Sequence, residues 1–258
     1  MSLLNGKKGK DLGFSDFVSS AVRGLFMPYF SLPIIVLGVA VGYATDLVLK
    51  PILVDGFENA GELGAMAGPI ATASGISIIT GIFIAVYGQI YGTLATSAKT
   101  GTPTIGEAMA VIGQRGLSVF AAGLLVTLAT VGIFIVGLIV VVGGLLANAG
   151  GVTYILFLAF IAVLIYLSLR LGQAGWFAAD GMGAIESISA SWNRTQGHLL
   201  KIFFWGLGGA VVFGLVGWLI GQLTGTLPAA IGDSIGTGVG LVFTYASGAV
   251  LYRRITAK

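Results

Sequence analysis

Cysteine is absent from this chain of 258 residues, and histidine occurs once, at His198. Without cysteine there is neither a disulfide nor a thiolate metal site, and the redox compartment stays open. A lone histidine, with no HExxH run and no carboxylate–histidine cluster, builds no metal or catalytic centre. We place His198 at a membrane interface. Charge is also scarce: 9% of residues are Asp, Glu, Lys or Arg, against about 25% in soluble domains. Too few charges remain to cover a water-facing surface, so most of the surface must face lipid. No basic patch suggests nucleic acid. The basic first ten residues are not followed by a short apolar core with a small-residue cleavage site, so no cleaved signal peptide is expected.

Apolar residues make up 56% of the chain, and glycine is 42 of 258, well above the usual ~7%. In a membrane protein this suggests helices packed backbone to backbone. A helix needs about 20 apolar residues to cross a bilayer. Six segments qualify, near 30–49, 69–95, 118–146, 152–172, 200–222 and 228–252. Open strands would strand backbone polar groups in lipid, and the alternating ten-residue pattern of a barrel is missing. The expected fold is all-α, a polytopic bundle of six transmembrane helices.

Lysine and arginine set the orientation. Twelve of the 13 basic residues fall on one side of this layout, from Lys7, Lys8, Lys10 and Arg23 to Arg253, Arg254 and Lys258; Lys50 alone falls on the other. Both termini are therefore expected on the cytoplasmic side of the inner (cytoplasmic) membrane.

Polar segments recur before pairs of spans. Glu107 and Arg115 are eight apart, and so are Glu186 and Arg194. A third copy, around "FSDFVSSAVRGLFMPYF", has Arg23 eight after Ser15. Three repeats follow, over about 11–97, 102–178 and 181–254, behind a basic tail at 1–10. Residues 11–258 then form a single membrane domain. Each repeat reads as a short interfacial helix heading a two-span hairpin. In the first, Phe14, Phe17, Val18, Ala21, Val22, Leu25 and Phe26 keep helical spacing, as for a helix lying apolar face down in the interface. In the second, Thr104 with Glu107 has the form of a capping box. Eight residues span about 12 Å of helix, so the Glu and Arg of one repeat should not pair with each other. They are read as anchors to headgroups or to other repeats.

The run "LRLGQAGWFAADGMGAIESISASWNRTQGHLLKIF" supplies Arg170, Asp180-Gly181, Ala184, Ser191-Trp192, Gly197 and Lys201. In this it resembles the YciC-like integral membrane proteins and the membrane domain joined to some glycerophosphoryl diester phosphodiesterases. "TGTPTIGEA" resembles their turn before the third span. The resemblance implies a six-span helical domain. It carries no phosphodiesterase activity, because no such catalytic domain is present in this sequence.

Other candidates are weaker. Asp55, Glu58 and Glu62 would share a helix face and offer oxygen ligands to a hard cation, but a solvated outer loop explains them equally. "GLGGAVVFG" lies inside a span with no preceding strand, so it is no dinucleotide loop. Gly217, Gly221 and Gly225, and likewise Gly232, Gly236 and Gly240, form linked GxxxG steps. These let a neighbouring backbone approach, and spans five and six are expected to pack along them or to present them to a partner. No charge lies deep in a span; Arg170 comes nearest and can snorkel outward. Gln89, Asn148 and Gln222 are polar in or near spans, with Asn148 capping an outer turn. Trp176 and Trp192 suit a headgroup belt, while Trp205 and Trp218 read as lipid-facing or packing residues.

The functional expectation is a non-enzymatic structural, assembly or accessory-subunit role with no cofactor. The partners are the lipid bilayer and either a membrane protein or a second copy of the chain. The alternative is a transporter or channel-like protein for a small or lipidic solute, which an enclosed polar cavity lined by Gln89, Gln222 or Arg170 would favour. A membrane-bound lipid enzyme would need clustered histidines and acids, which the sequence lacks.

Overall fold

The computed structural model describes residues 3–4, 8–55, 60–97, 102–146, 150–223 and 229–257; within these, the side chains of 44–55, 60–67, 69–70, 73, 221, 223 and 229–233 are not described. All regular structure among the described residues is helical: a 3-10 turn at Gly9–Asp11, then α1 Phe14–Leu25, α2 Pro28–Asp55, α3 Ala60–Ser97, α4 Ile105–Leu146, α5 Gly150–Leu171, α6 Ala174–Ala179, α7 Ala184–Thr195, α8 Leu199–Leu223 and α9 Ala229–Thr256. The six apolar segments fall on α2, α3, α4, α5, α8 and α9. Among the described residues, five helical stretches are long and apolar enough to cross a membrane, and α1 with α2, bent by 79°, adds a sixth if counted as one span.

Local chemistry accounts for where the helices start and stop. The α1 N-terminus is closed by Asp16, whose Oδ2 accepts from the Gly13 N–H at 2.9 Å. Helix α1 stops short of Pro28, whose ring disfavours helical geometry in the residue before it. The capping box at Thr104 forms as expected: Thr104 N–H donates to Glu107 Oε2 at 2.7 Å, and Glu107 N–H donates to Thr104 Oγ1 at 3.2 Å. Helix α6 ends in a Schellman turn, with Gly181 N–H bonded to the Ala178 carbonyl and Met182 N–H to that of Phe177. Gly181 sits at φ +109.

The polar segment of the second repeat differs from expectation. It is not a separate interfacial helix but the opening turns of α4, one continuous helix of 42 residues. Helix α1 is punctuated by Pro28, and α7 is followed by Gly197 at φ +86. Between Glu107 and Phe120 there is no proline, and lone glycines cost a helix only ~1 kcal/mol, so nothing stops it.

The described chain packs as two compact units, 1–112 with 205–258 and 113–204. In the larger, α9 lies against α2 with almost no side chain between them. A Cβ on Gly38 would fall 2.7 Å from Gly238 Cα, and one on Gly42 would fall 2.7 Å from Ser234 Oγ. Residues four apart stack on one helix face, so Gly38 and Gly42 form one flat strip. A Cβ on Gly88 of α3 would fall within 2.5 Å of the Tyr245 ring. Phe30, Tyr91 and Tyr87 stack at 5.2 and 5.7 Å. The Tyr87 hydroxyl donates to the Tyr29 carbonyl and that of Tyr91 to the Pro103 carbonyl. Arg253 closes the same end of the bundle: Nε donates to Thr96 Oγ1 at 3.1 Å, and an Nη donates to the Thr93 carbonyl at 3.3 Å.

Helix α1 packs into the core of the larger unit. Its Phe17, Ser20, Ala21 and Gly24 face is buried, and a Cβ on Gly24 would meet Ala246 Cβ of α9 at 2.8 Å. Phe14, Val22 and Phe26 stay exposed.

In the smaller unit, the Phe160 ring of α5 covers Gly137 of α4. Helix α6 is buried along its whole length, Trp176 at 5% exposure included. Trp176 is thus a core residue and not part of a headgroup belt. Helix α7 turns its hydroxyls inward: Ser187, Ser191 and Thr195 are buried, each bonded to a backbone carbonyl. Ile185 is 79% exposed on the other side. Small hydroxyls satisfied on helix carbonyls permit close packing.

Candidate functional site

Two features stand out, one in each packing unit. In the larger unit, α8, α9 and Phe17 of α1 line an open groove of about 780 Å³. The expected glycine contact between spans five and six is present at one level: a Cβ on Gly236 would come 3.3 Å from the Gly217 carbonyl oxygen. Away from that level the Phe17 ring covers Gly209, with a Cβ there falling 2.9 Å from it, while other glycines face open space. A Cβ on Gly206, Gly214 or Gly240 would have nothing within 4 Å. These three residues line the groove, with Thr244, Ser247 and Leu251 on the α9 wall and Trp218, 62% exposed, beside them. Among the described residues of the expected stripe, Gly217 and Gly236 meet, and Gly240 faces the open groove. The Thr244 and Ser247 hydroxyls donate to the carbonyls of Gly240 and Phe243, so they present little polarity to an occupant. The deep wall is aromatic: Phe17 stacks near Trp205 at 5.5 Å, and Phe213 near Phe243 at 5.1 Å.

In the smaller unit Arg170, at 7% exposure, ends α5 without snorkelling. Its Nη1 donates to the Trp192 carbonyl at 2.6 Å and its Nε to the Tyr166 hydroxyl at 3.0 Å. The guanidinium lies over the Trp192 and Tyr166 rings at 4.8 and 5.3 Å, and Ser191 Oγ donates to the Arg170 carbonyl at 2.6 Å. Snorkelling needs a free path to water, and α7 closes it. Arg115 makes a parallel joint, with Nη1 donating to the Ala179 carbonyl at 2.9 Å. A Cβ on Gly181 would sit 3.4 Å from the Arg115 guanidinium carbon. Because an L-residue at positive φ is strained by ~1–2 kcal/mol, Gly181→Ala should lower stability by about that much, read as a thermal midpoint shift. An unchanged midpoint would show that the turn relaxes freely.

The remaining candidates separate. Glu107 is a helix cap, not a partner of Arg115. Glu186 and Arg194 are exposed, and His198 is half-buried. Trp192 is part of the Arg170 clamp. Gln222 is exposed in the groove wall, and Gln89 is half-buried in α3. The surroundings of Gly221 and Gly232, the side chains of Asp55 and Glu62, and Glu58, Lys99, Asn148 and Gly225 lie outside the described residues. No cluster of three or more His, Asp or Glu side chains occurs among the described residues. Sequence reasoning missed the close approach of α2 to α9, Gly38 and Gly42 on Gly238 and Ser234. The spacing "GVAVG" carried the signal.

No family model, no curated protein and no solved structure matches this chain.

Proposed function

We propose that this is an accessory integral membrane protein that works by binding an elongated apolar partner, not by turnover. The observation that carries the reading is the open groove of α8 and α9. Glycines leave its floor without side chains, and Phe17, Phe213 and Trp218 line its walls. A groove of this size falls in the range of ~300–1,000 Å³ typical of ligand sites. On this reading the chain resides in the inner membrane with both termini cytoplasmic, supported by the one-sided lysines and arginines. The threefold repeat is part of the proposal. Helix α1 before α2 and α3, and α7 before α8 and α9, support it. Kinship with the YciC-like proteins is likewise proposed, on the run from Arg170 to Lys201.

The test is gentle purification from native membranes with mass spectrometry of retained proteins and lipids, comparing the wild type with Gly214→Leu. The leucine fills the groove where no atom opposes it, so the fold is expected to persist. A stoichiometric companion present in the wild type and lost in Gly214→Leu is the expected result. Identical retention by both would remove the groove from the function. Solute flux in proteoliposomes that the leucine blocks would establish the transporter alternative instead.

A further inference from the structure

We infer that the groove holds an acyl chain of an anionic phospholipid, with the phosphate at Arg254 and Lys10. This rests on the binding reading above and names the occupant. Three observations carry it. The first is length. The lining runs along α8 from Gly206 to Gln222, roughly 24 Å at 1.5 Å per residue. That exceeds the half-thickness of about 15 Å that one leaflet's chains fill in a ~30 Å hydrocarbon core.

The second is the surface. The groove is walled by Phe17, Phe213 and Trp218, an irregular apolar surface that a flexible polymethylene chain can follow. The glycine floor at Gly206, Gly214 and Gly240 is open for such a chain to lie on.

The third is charge. On α9 the lining positions Thr244, Ser247 and Leu251 recur every three to four residues, and Arg254 is the next in that series. The Arg254 guanidinium donates to the Lys10 carbonyl oxygen, which brings an exposed lysine to the same end. Neither cation is paired with a carboxylate among the described residues. Lysines and arginines at the membrane surface recruit anionic headgroups. One end of an apolar slot is thus cationic, and the far end carries the neutral Gln222, the polarity of a lipid lying along it.

The test uses the full chain, delipidated in mild detergent and titrated with phosphatidylglycerol or with phosphatidylcholine, with bound lipid per chain read by native mass spectrometry. The wild type should bind phosphatidylglycerol in preference to phosphatidylcholine. Arg254→Gln and Lys10→Gln should each weaken phosphatidylglycerol by about fivefold and leave phosphatidylcholine unchanged. Gly240→Leu should abolish retention of both while the helical content stays intact. Equal binding of the two lipids, insensitive to the charge variants, would overturn the headgroup assignment and leave the groove as a binding surface. A wild-type dimer that Gly240→Leu splits, with lipid retention unaffected, would make a second copy the occupant and overturn the lipid. If Gly240→Leu changes neither lipid, nor self-association, nor the companions seen in native membranes, the inference and the proposed function fall together.

Discussion

Gly38→Leu is expected to abolish recovery of folded protein, or to lower its thermal midpoint by roughly 10 °C. The first added carbon would lie 2.7 Å from Gly238 Cα and 3.3 Å from Gly238 N. Backbone cannot rotate aside as a side-chain tip can, so α2 and α9 must separate. Overpacking a tight core costs about 1–3 kcal/mol, sometimes more, and a whole domain holds only ~5–15 kcal/mol in reserve. Separation would also loosen Gly42 from Ser234, one turn along the same face. The strength of this prediction is its ordering. Gly236→Leu meets the Gly217 carbonyl at 3.3 Å and should cause a moderate loss of folded yield. Gly240→Leu meets nothing within 4 Å and should be nearly neutral, since leucine is the better helix former. Monodispersity and thermal midpoints of the three variants check the series. A Gly38→Leu protein as stable as wild type would refute the α2–α9 contact.

Arg170→Ala is expected to destabilise the protein by about 2–4 kcal/mol, since hydrogen bonds from a charged donor contribute ~1.5–3 kcal/mol each and a desolvated cation–π contact up to ~2 kcal/mol. Relief of the buried charge offsets part of that sum. Arg170→Lys should recover little. Lysine carries the charge but not the planar fork that reaches the Trp192 carbonyl and the Tyr166 hydroxyl while stacking on both rings. Proteolysis at the exposed Gln196–Gly197 turn after α7 should accelerate in both variants. Arg194→Ala, at an exposed site, should stay within about 0.5 kcal/mol of wild type. If all three behave alike, Arg170 is not what holds α7 to α5.

The spans were legible because lipid demands long apolar runs, and nothing in a soluble core imitates six of them. The box at Thr104 and Glu107 was legible because both partners lie within one turn. The Asp180-Gly181 turn was visible, but its second reason, the Arg115 guanidinium resting on Gly181, was not, because Arg115 lies 66 positions earlier in the chain. Arg170 was read as a snorkelling residue because its position near a span end is visible in sequence. The aromatic lid that buries it is built from α7, which no local pattern places there. Trp176 is ambiguous for the same reason: a tryptophan beside an interface and one buried within a six-residue helix have identical local sequence.

Composition and periodicity by themselves determined that this chain is helical and suited to a membrane, with its apolar runs on the helices that are long enough to cross. Those properties follow from each segment's own contact with solvent, a local quantity. Tertiary structure alone decided which glycines are contacts and which are floor. Gly38, Gly236 and Gly240 have the same residue type, yet one meets backbone at 2.7 Å, one at 3.3 Å, and one faces open space. That difference depends on how two helices cross, which is set by every residue along both faces together and by no stretch of either one.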